Sequence, residues 1–349
     1  MIGERLSALY LCAFGCEPSA LSALRGDGSD RRITRLEGAA GSAIGIWGDN
    51  IAENRAFLGF TRTFAACGLC VPAIYAVDED ERCYLEEDLG DTLLFDWQAE
   101  RRVGEEFPPE VFAMYARVLR ELPRFQLDAA ERIDYGLCYQ YPEFGEESIS
   151  FDLRYFREMF LDQLFPEYDA GDVEREFATL TAMLLAAERR HFLYRDFQSR
   201  NVMITRGAPR FIDYQSGRRG ALQYDVASLL YDAKARIPES DRRALIDGYI
   251  EEASLRAPVD HAEFLRHFDA YALVRVLQAL GAFGNLGLRK RKPGFLSSIP
   301  PALDNAVLLT ARNPLATALP ALADVLVRAR VSSALLARTL EPSMEITRS

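Results

Sequence analysis

One stretch of the chain, residues 191–215, constrains the fold and the chemistry more than any other. Two short, mainly apolar runs, Val202–Ile204 and Arg210–Ile212, enclose a turn that contains Gly207 and Pro209. Apolar runs separated by a turn of this kind predict a β-hairpin. Because the two ends of a hairpin meet, the residues that flank these runs should lie close together.

Oxygen-bearing side chains flank the predicted hairpin. Asn201 stands at its entry, Asp213 at its exit, and Asp196 five residues before Asn201. Two carboxylates and an amide suit Mg²⁺, which keeps several waters and bridges substrate phosphates. The remaining carboxylate can accept a proton from a hydroxyl nucleophile. Asp and Asn are also common in turns for local hydrogen-bonding reasons, but the combined pattern favours phosphoryl transfer.

The segment resembles the catalytic and metal-binding loops of the aminoglycoside phosphotransferase and choline kinase superfamily. In that family the loop reads H-x-D-x-x-x-x-N, followed by a strand and then I-D, and Tyr194 stands here in place of the His. The resemblance implies that Asp196 is the catalytic base and that Asn201 and Asp213 bind Mg²⁺. It also implies that Tyr194 affects the packing of the loop more than the chemistry. Asp225 resembles the acid that supports the catalytic loop from the start of a helix.

The same resemblance implies an α+β chain with a bilobal, protein-kinase-like fold. We expect a nucleotide-binding lobe over 1–87, a helical catalytic and substrate lobe over 88–349, and a hinge at about 86–91. The first lobe should contain a helix at about 4–14, strands at about 31–37 and 42–47, a helix at 51–67, and strands at Val71–Val77 and Cys83–Leu85. The apolar spacing predicts later helices at Val111–Leu122, Phe151–Phe165 and Val173–Arg190.

The resemblance also implies that ATP is the co-substrate and suggests where it binds. A Gly/Ser turn can cradle phosphate oxygens with its backbone N–H groups. The predicted nucleotide contacts are Gly28, Ser29, Arg31 and Arg32 for the phosphates, Glu53 at the start of a helix, and Glu87 and Leu89 for the base.

A shortage of lysine sets this chain apart from the usual family pattern. Of 41 basic residues only three are lysines, and the first of these is Lys234. The family commonly has a phosphate-binding lysine on its third strand, where we place Gly45. Either Arg31 or Arg32 replaces that lysine, or the loop backbone and Mg²⁺ suffice, since arginine forms bidentate phosphate contacts.

The lysine-free lobe and three segments, Glu87–Asp91, Arg195–Asn201 and Tyr224–Leu230, together resemble those of bacterial cell-wall sugar kinases. These phosphorylate the anomeric hydroxyl of N-acetylmuramate and N-acetylglucosamine. Three polar residues are candidate contacts for such an acceptor: Asp152, Arg200 and Asp232. For the two acids, a solvated helix position is the alternative. The basic run 289–292 is interpreted as a solvated loop, with an anion-attracting rim as the alternative.

Composition bears on the remaining classes of function. The net charge of −11 disfavours nucleic acid and anionic membranes as partners. Six cysteines are too few for a disulfide scaffold, and free thiols are favoured over a zinc site at the cysteine pairs. The chain has no run of 18 apolar residues, so the sequence predicts no membrane span. We expect a cytoplasmic monomer or weak dimer that binds a small molecule. An aminoglycoside or amino-alcohol kinase and a catalytically weak nucleotide-binding regulator remain the alternatives.

Overall fold

The computed structural model describes residues 2–24, 31–104, 106–164 and 168–332. The chain forms two compact units. Among the described residues, the first comprises 2–24, 31–103, 108–142 and 194–218, and the second comprises 104, 106–107, 143–164, 168–193 and 219–332.

The first unit contains a five-stranded antiparallel sheet with strand order β1-β2-β3-β5-β4. Its elements are α1 (Ile2–Phe14), β1 (Ala20–Leu24), β2 (Arg32–Gly38), β3 (Gly41–Trp47), α2 (Ile51–Ala66), β4 (Ile74–Val77), β5 (Cys83–Glu87), α3 (Leu94–Ala99), α4 (Pro109–Pro123), a π turn (Arg124–Asp128) and 3₁₀ turns at Ala130–Arg132, Tyr135–Leu137 and Ser199–Asn201. The predicted helices and strands of this region are confirmed, and β1 is an edge strand that the sequence did not reveal.

The two faces of this sheet carry different residues because side chains alternate along a strand. On one face, Leu6 and Tyr10 of α1 pack against Leu36 and Leu85 in a buried apolar cluster. A Cβ atom on Gly45 would lie 2.8 Å from the Leu36 side chain, so position 45 belongs to this face.

The opposite face packs on α2. There the Phe57 ring stacks on the Tyr84 ring with centroids 5.4 Å apart, and Ile46 is the strand partner of Tyr84. A side chain at position 45 therefore points away from α2. A strand lysine that pairs with the helix glutamate has to lie on the α2 face, and Ile44 and Ile46 occupy that face of β3. Placing the counterpart of the family lysine at Gly45 is therefore wrong.

The predicted hairpin is confirmed as β7 (Val202–Thr205) and β8 (Ala208–Phe211). It joins the first unit through hydrogen bonds from Ile204 N to Thr92 O (2.8 Å) and from Phe211 N to Cys70 O (2.9 Å). These bonds explain why 194–218 falls in the first unit. The hinge expected near residues 86–91 remains a prediction.

The second unit is mainly helical. Its elements are α5 (Glu146–Phe156), a π turn (Arg157–Leu161), α6 (Asp162–Leu164), α7 (Ala170–Leu185), β6 (His191–Leu193), β9 (Arg218–Gly220, which begins at the unit boundary), α8 (Gln223–Leu230), α9 (Glu239–Ser254), α10 (His261–Phe283), a π turn (Gly284–Arg289), α11 (Pro293–Leu296), α12 (Ile299–Thr310), α13 (Leu315–Ala318) and α14 (Pro320–Arg330). The helix predicted over 151–165 is interrupted by the first of these π turns.

Helix α10 is the central element of the second unit and packs against α5, α8 and α12. With its π continuation it spans His261–Arg289, which is long and apolar enough by length and composition to cross a membrane. However, 61% of its most apolar window is buried inside the protein. A buried core helix passes the same test, so this helix is weak evidence for a membrane span.

Candidate active site

The residues that flank the hairpin meet as predicted. Asn201 Nδ2 donates to Asp213 Oδ2 at 3.0 Å and to the backbone oxygen of Asp196 at 2.9 Å. Ile212 N donates to Asn201 O at 3.1 Å, which continues the pairing one residue past β8. Asn201 therefore joins the loop that carries Asp196 to the residue that follows the hairpin.

The backbone is strained at two points of this arrangement. Arg195 has φ 81° and Asp213 has φ 69°. The left-handed region is tolerated by Asp but unfavourable for Arg, and such residues cost about 1–3 kcal/mol each. Buried contacts hold this geometry: Tyr194 is fully buried and its hydroxyl donates to Ile212 O at 2.6 Å. Tyr194 thus fixes the loop against the residue before Asp213.

A largely buried arginine, whose side chain is 12% exposed, joins Asn201 and Asp213 in one polar cluster. Arg31 Nη2 lies 3.2 Å from Asp213 Oδ1 and 3.2 Å from Glu53 Oε1, and Arg31 Nη1 lies 3.4 Å from the Tyr84 hydroxyl. Helix α2 places Glu53 in its first turn, where Asn50 caps the helix by accepting from Glu53 N at 3.3 Å. The predicted helix glutamate therefore pairs with an arginine.

One member of the cluster gave no signal in the sequence. Gln215 is 5% exposed, and its Nε2 donates to Asp213 Oδ1 at 2.8 Å. Asp213 consequently receives hydrogen bonds from Asn201, Arg31 and Gln215. Glutamine beside an acid is too common a pattern to stand out without the three-dimensional neighbours.

Arg31 keeps its positive charge although its side chain is largely buried. Burial alone would lower the pKa of the guanidinium, but nearby Tyr84, Asp213 and Glu53 raise it above its ordinary value. The cluster therefore holds a permanent cation next to two acids. Such an arrangement can exchange an acid partner for the oxygens of a phosphate, with bidentate geometry.

The other predicted phosphate contacts have different outcomes. Arg32 lies on the α1 face of the sheet, with its guanidinium carbon 5.3 Å from the Trp47 ring centroid. Adjacent strand residues face opposite sides, so the structure brings Arg31 but not Arg32 to the cluster. Gly28 and Ser29 lie outside the described residues.

The hinge residues are fixed by their neighbours. Glu87 N donates to Ala73 O at 2.8 Å, and the Glu87 carboxylate pairs with Arg210 at 2.6 Å. Leu89 is 7% exposed, and its carbonyl accepts from Thr205 Oγ1 at 2.8 Å. Among the described residues, no group accepts a hydrogen bond from Leu89 N.

The three candidate acceptor contacts do not form one cluster within a unit. In the first unit, Arg200 stacks on Phe95 of α3, 3.8 Å from the ring centroid. In the second unit, Asp232 accepts from Lys234 N at 3.2 Å, and Asp152 is 2% exposed. The alternative of a solvated helix position is therefore wrong for Asp152. The basic run 289–292 is exposed, as expected of a solvated loop.

The donor set at Asn201 and Asp213 fits Mg²⁺. Mg²⁺ is usually held by one or two carboxylates together with substrate phosphates and waters, rather than by a cage of protein ligands. In the part of the chain that the structure describes, no group of three or more His, Cys, Asp or Glu residues forms such a cage. All six cysteines lie among the described residues, and none of them forms a disulfide.

The sequence and the fold define the class of protein. Residues 48–261 match the phosphotransferase enzyme family, which is more than half of the chain. The chain belongs to this family and is a phosphotransferase with an alcohol group as acceptor.

Individual relatives are similar over most of their length. An N-acetylmuramate/N-acetylglucosamine kinase from Pseudomonas aeruginosa is 26% identical over 305 residues, which covers 85% of this chain and 86% of the relative. A protein of the same description from Neisseria meningitidis is 28% identical over 236 residues, with 66% and 67% coverage.

Solved structures confirm the kinase-like fold. A choline/ethanolamine kinase family protein from Mesorhizobium loti has a TM-score of 0.59 at 16% identity, covering 93% of this chain and all of that one. An aminoglycoside 2'-phosphotransferase in complex with GDP has a TM-score of 0.56 at 15% identity, with 89% and 99% coverage. At these identities the similarity shows the fold alone.

Proposed function

We propose that the protein transfers the γ-phosphoryl group of ATP, with Mg²⁺, to a hydroxyl of an amino sugar such as N-acetylmuramate or N-acetylglucosamine. The observation that carries the proposal is Asp213, which receives hydrogen bonds from Asn201 and Arg31 while Asn201 also holds the Asp196 backbone. The two relatives described as N-acetylmuramate/N-acetylglucosamine kinases support the choice of acceptor.

Asp196 acts as the base in this proposal. The half-buried carboxylate accepts the proton of the acceptor hydroxyl as its oxygen attacks the γ-phosphorus. The bond between the γ-phosphorus and the β–γ bridging oxygen breaks, and ADP leaves with the electron pair of that bond. Asn201 keeps the base in position because its amide holds the Asp196 carbonyl.

Asp213 and Asn201 would hold the metal. A bound Mg²⁺ would supply positive charge that offsets the negative charge developing on the transferred phosphoryl group. The hydrogen bond from Gln215 keeps one Asp213 oxygen oriented. Both described amide contacts of Asn201 use Nδ2, so the side-chain oxygen is the atom that Asn201 offers to a cation.

Arg31 replaces the lysine that the first 233 residues lack. It lies on the α2 face with Glu53 as its partner, and its fixed positive charge stabilises the phosphates that it binds. Glu53 orients the guanidinium in this role. Main-chain groups at Glu87 and Leu89 would contact the base, and Gly28 and Ser29 the phosphates.

For the acceptor, Asp152, Arg200 and Asp232 remain the candidate contacts. We expect the enzyme in the cytoplasm, where ATP is supplied, as a monomer or weak dimer. Neither expectation affects the proposed chemistry.

The test is ADP release by the purified full chain across a panel of N-acetylmuramate, N-acetylglucosamine, aminoglycosides and choline, with and without Mg²⁺. We expect Mg²⁺-dependent turnover with the acetylated amino sugars. Faster turnover with aminoglycosides or choline would replace the proposed acceptor. Nucleotide binding without turnover on any acceptor would favour the alternative of a nucleotide-binding regulator.

A further inference from the structure

Glu86 lies on β5, on the face of the sheet that packs on α2. It is the strand partner of Ile44, and Tyr84, two residues earlier on β5, is the partner of Ile46. Because side chains alternate along a strand, Glu86 shares the α2 face with Tyr84. That face also carries Arg31, whose charge acts on Glu86. The carboxyl group therefore lies on the side of the sheet that holds the proposed phosphate-binding arginine.

One oxygen of the Glu86 carboxyl group has no hydrogen-bond partner among the described residues. This atom, Oε2, is buried. Burial raises the pKa of Glu86 to about 8, an effect that Arg31 partly offsets. By contrast, the neighbouring Glu87 carboxylate accepts from Arg210 and from Ala73 N. A buried polar atom without a partner calls for an explanation, and a ligand group that donates to it is one.

The chain next to Glu86 has a second open hydrogen-bonding group. Leu89 N, three residues further on, donates to no described acceptor, and Leu89 is itself nearly buried. A side-chain acceptor and a main-chain donor thus occur within four residues at the end of one strand. Aromatic bases with an amino group and ring nitrogens present the complementary pattern of donor and acceptors.

We propose that Glu86 reads the nucleobase by accepting a hydrogen bond from the exocyclic amino group of adenine, and that it thereby selects ATP over GTP. This inference rests on the proposed function. Adenine carries an amino donor where guanine carries a carbonyl acceptor. Because the pKa of Glu86 is raised to about 8, the carboxylate form predominates above that pH, where its oxygens accept from the amino group and repel the carbonyl of guanine. The protonated form can also donate to that carbonyl, so the selection is strongest at alkaline pH.

The experiment measures ADP and GDP binding to the full chain by titration calorimetry in the presence of Mg²⁺. At about pH 9, where Glu86 is ionised, we expect the unsubstituted protein to bind ADP at least about tenfold more tightly than GDP, the effect of one hydrogen bond to a charged group. Glu86→Leu should lose about tenfold in ADP affinity and bring the two affinities together. Glu86→Gln should keep most of the ADP affinity and bind GDP more tightly, because its amide can donate to the guanine carbonyl.

A matched control is Glu37→Leu, which removes an exposed carboxylate from β2 of the same sheet and should leave the ADP-to-GDP ratio unchanged. An unchanged ratio in both Glu86 variants would overturn the inference while leaving the proposed function intact. Equal binding of the two nucleotides by the unsubstituted protein would overturn it in the same way. If the unsubstituted protein binds neither nucleotide, the proposed function itself fails, and this inference fails with it.

Discussion

Arg31 Nη2 lies 3.2 Å from Asp213 Oδ1, which places a cation from the residue before β2 against the acid that follows the hairpin. The same nitrogen lies 3.2 Å from Glu53 at the start of α2. In a unit whose sequence contains no lysine, this pairing puts a fixed positive charge beside the proposed metal ligand. The arrangement accounts for how the chain can bind phosphates without the usual lysine.

Substitution of this arginine should weaken nucleotide binding. Arg31→Ala removes charge-assisted hydrogen bonds, each worth about 1.5–3 kcal/mol, so the KM for ATP should rise about 10- to 100-fold. Arg32→Ala is the comparison, because Arg32 faces the other side of the sheet over Trp47. Its KM for ATP should change less than about threefold. Equal losses in both variants would contradict the assignment of Arg31.

The loop before the hairpin should depend on the Tyr194 hydroxyl. Tyr194→Phe removes the donor to Ile212 O and leaves a carbonyl unsatisfied, so the free energy of unfolding should fall by about 1–3 kcal/mol. Urea denaturation measures this loss. Tyr75→Phe, at a side chain that is 40% exposed, should change stability by less than about 0.5 kcal/mol. Equal stability of Tyr194→Phe and the unsubstituted protein would show that the bond does not hold the loop.

Glu86 should make the free energy of unfolding fall as pH rises. Burial raises the pKa of Glu86 to about 8, with Arg31 lowering it and Asp213 raising it, and its ordinary value is 4.5. Between these values the folded chain binds more protons than the unfolded chain, so Glu86 makes the protein less stable as pH rises from about 5 to 8.

Glu86→Gln removes this titration. Its stability relative to the unsubstituted protein should therefore increase across that pH range, by up to a few kcal/mol at about 1.4 kcal/mol per unit of pKa shift. Thermal unfolding at a series of pH values measures the difference. A difference that stays constant from about pH 5 to about pH 8 would contradict the burial of an uncompensated carboxyl group.

The second unit contains a position where only glycine fits. A Cβ atom on Gly284 would lie 2.0 Å from the backbone oxygen of Met159, so Gly284→Ala forces two π turns apart. The expected loss of stability is at least about 1–3 kcal/mol, the usual range for overpacking.

The matched control is Gly248→Ala within α9. A Cβ atom there meets nothing within 4 Å, and alanine favours a helix over glycine by about 0.5–1 kcal/mol. The control should therefore gain stability while Gly284→Ala loses it. A neutral or stabilising Gly284→Ala would mean that the two π turns do not approach as described.

The parts of the site that follow from local sequence could be predicted. Asn201 and Asp213 flank a hairpin whose two strands are adjacent in the chain, so their meeting requires no knowledge of distant contacts. The helix near residue 51 and the strands near 32 and 83 follow from their apolar spacing in the same way.

The parts of the site that depend on strand register and on residues distant in the sequence could not be predicted. Whether Arg31 or Arg32 reaches Asp213 is decided by which face of β2 each occupies, and one residue of offset reverses the answer. The assignment of Gly45 failed for the same reason. The π turn that interrupts the predicted helix over 151–165 lies against Gly284, which is far away in the sequence.

The most direct test of the account is the rate of phosphate transfer to N-acetylmuramate and N-acetylglucosamine by the unsubstituted protein and by Asp196→Asn. We predict Mg²⁺-dependent formation of ADP and sugar phosphate, and a fall in kcat of at least about 100-fold in Asp196→Asn, the usual contribution of a positioned base. Asp304→Asn, at an exposed acid paired with Arg330, should retain the full rate. Unchanged transfer by Asp196→Asn, or no transfer to either sugar by the unsubstituted protein, would contradict the account.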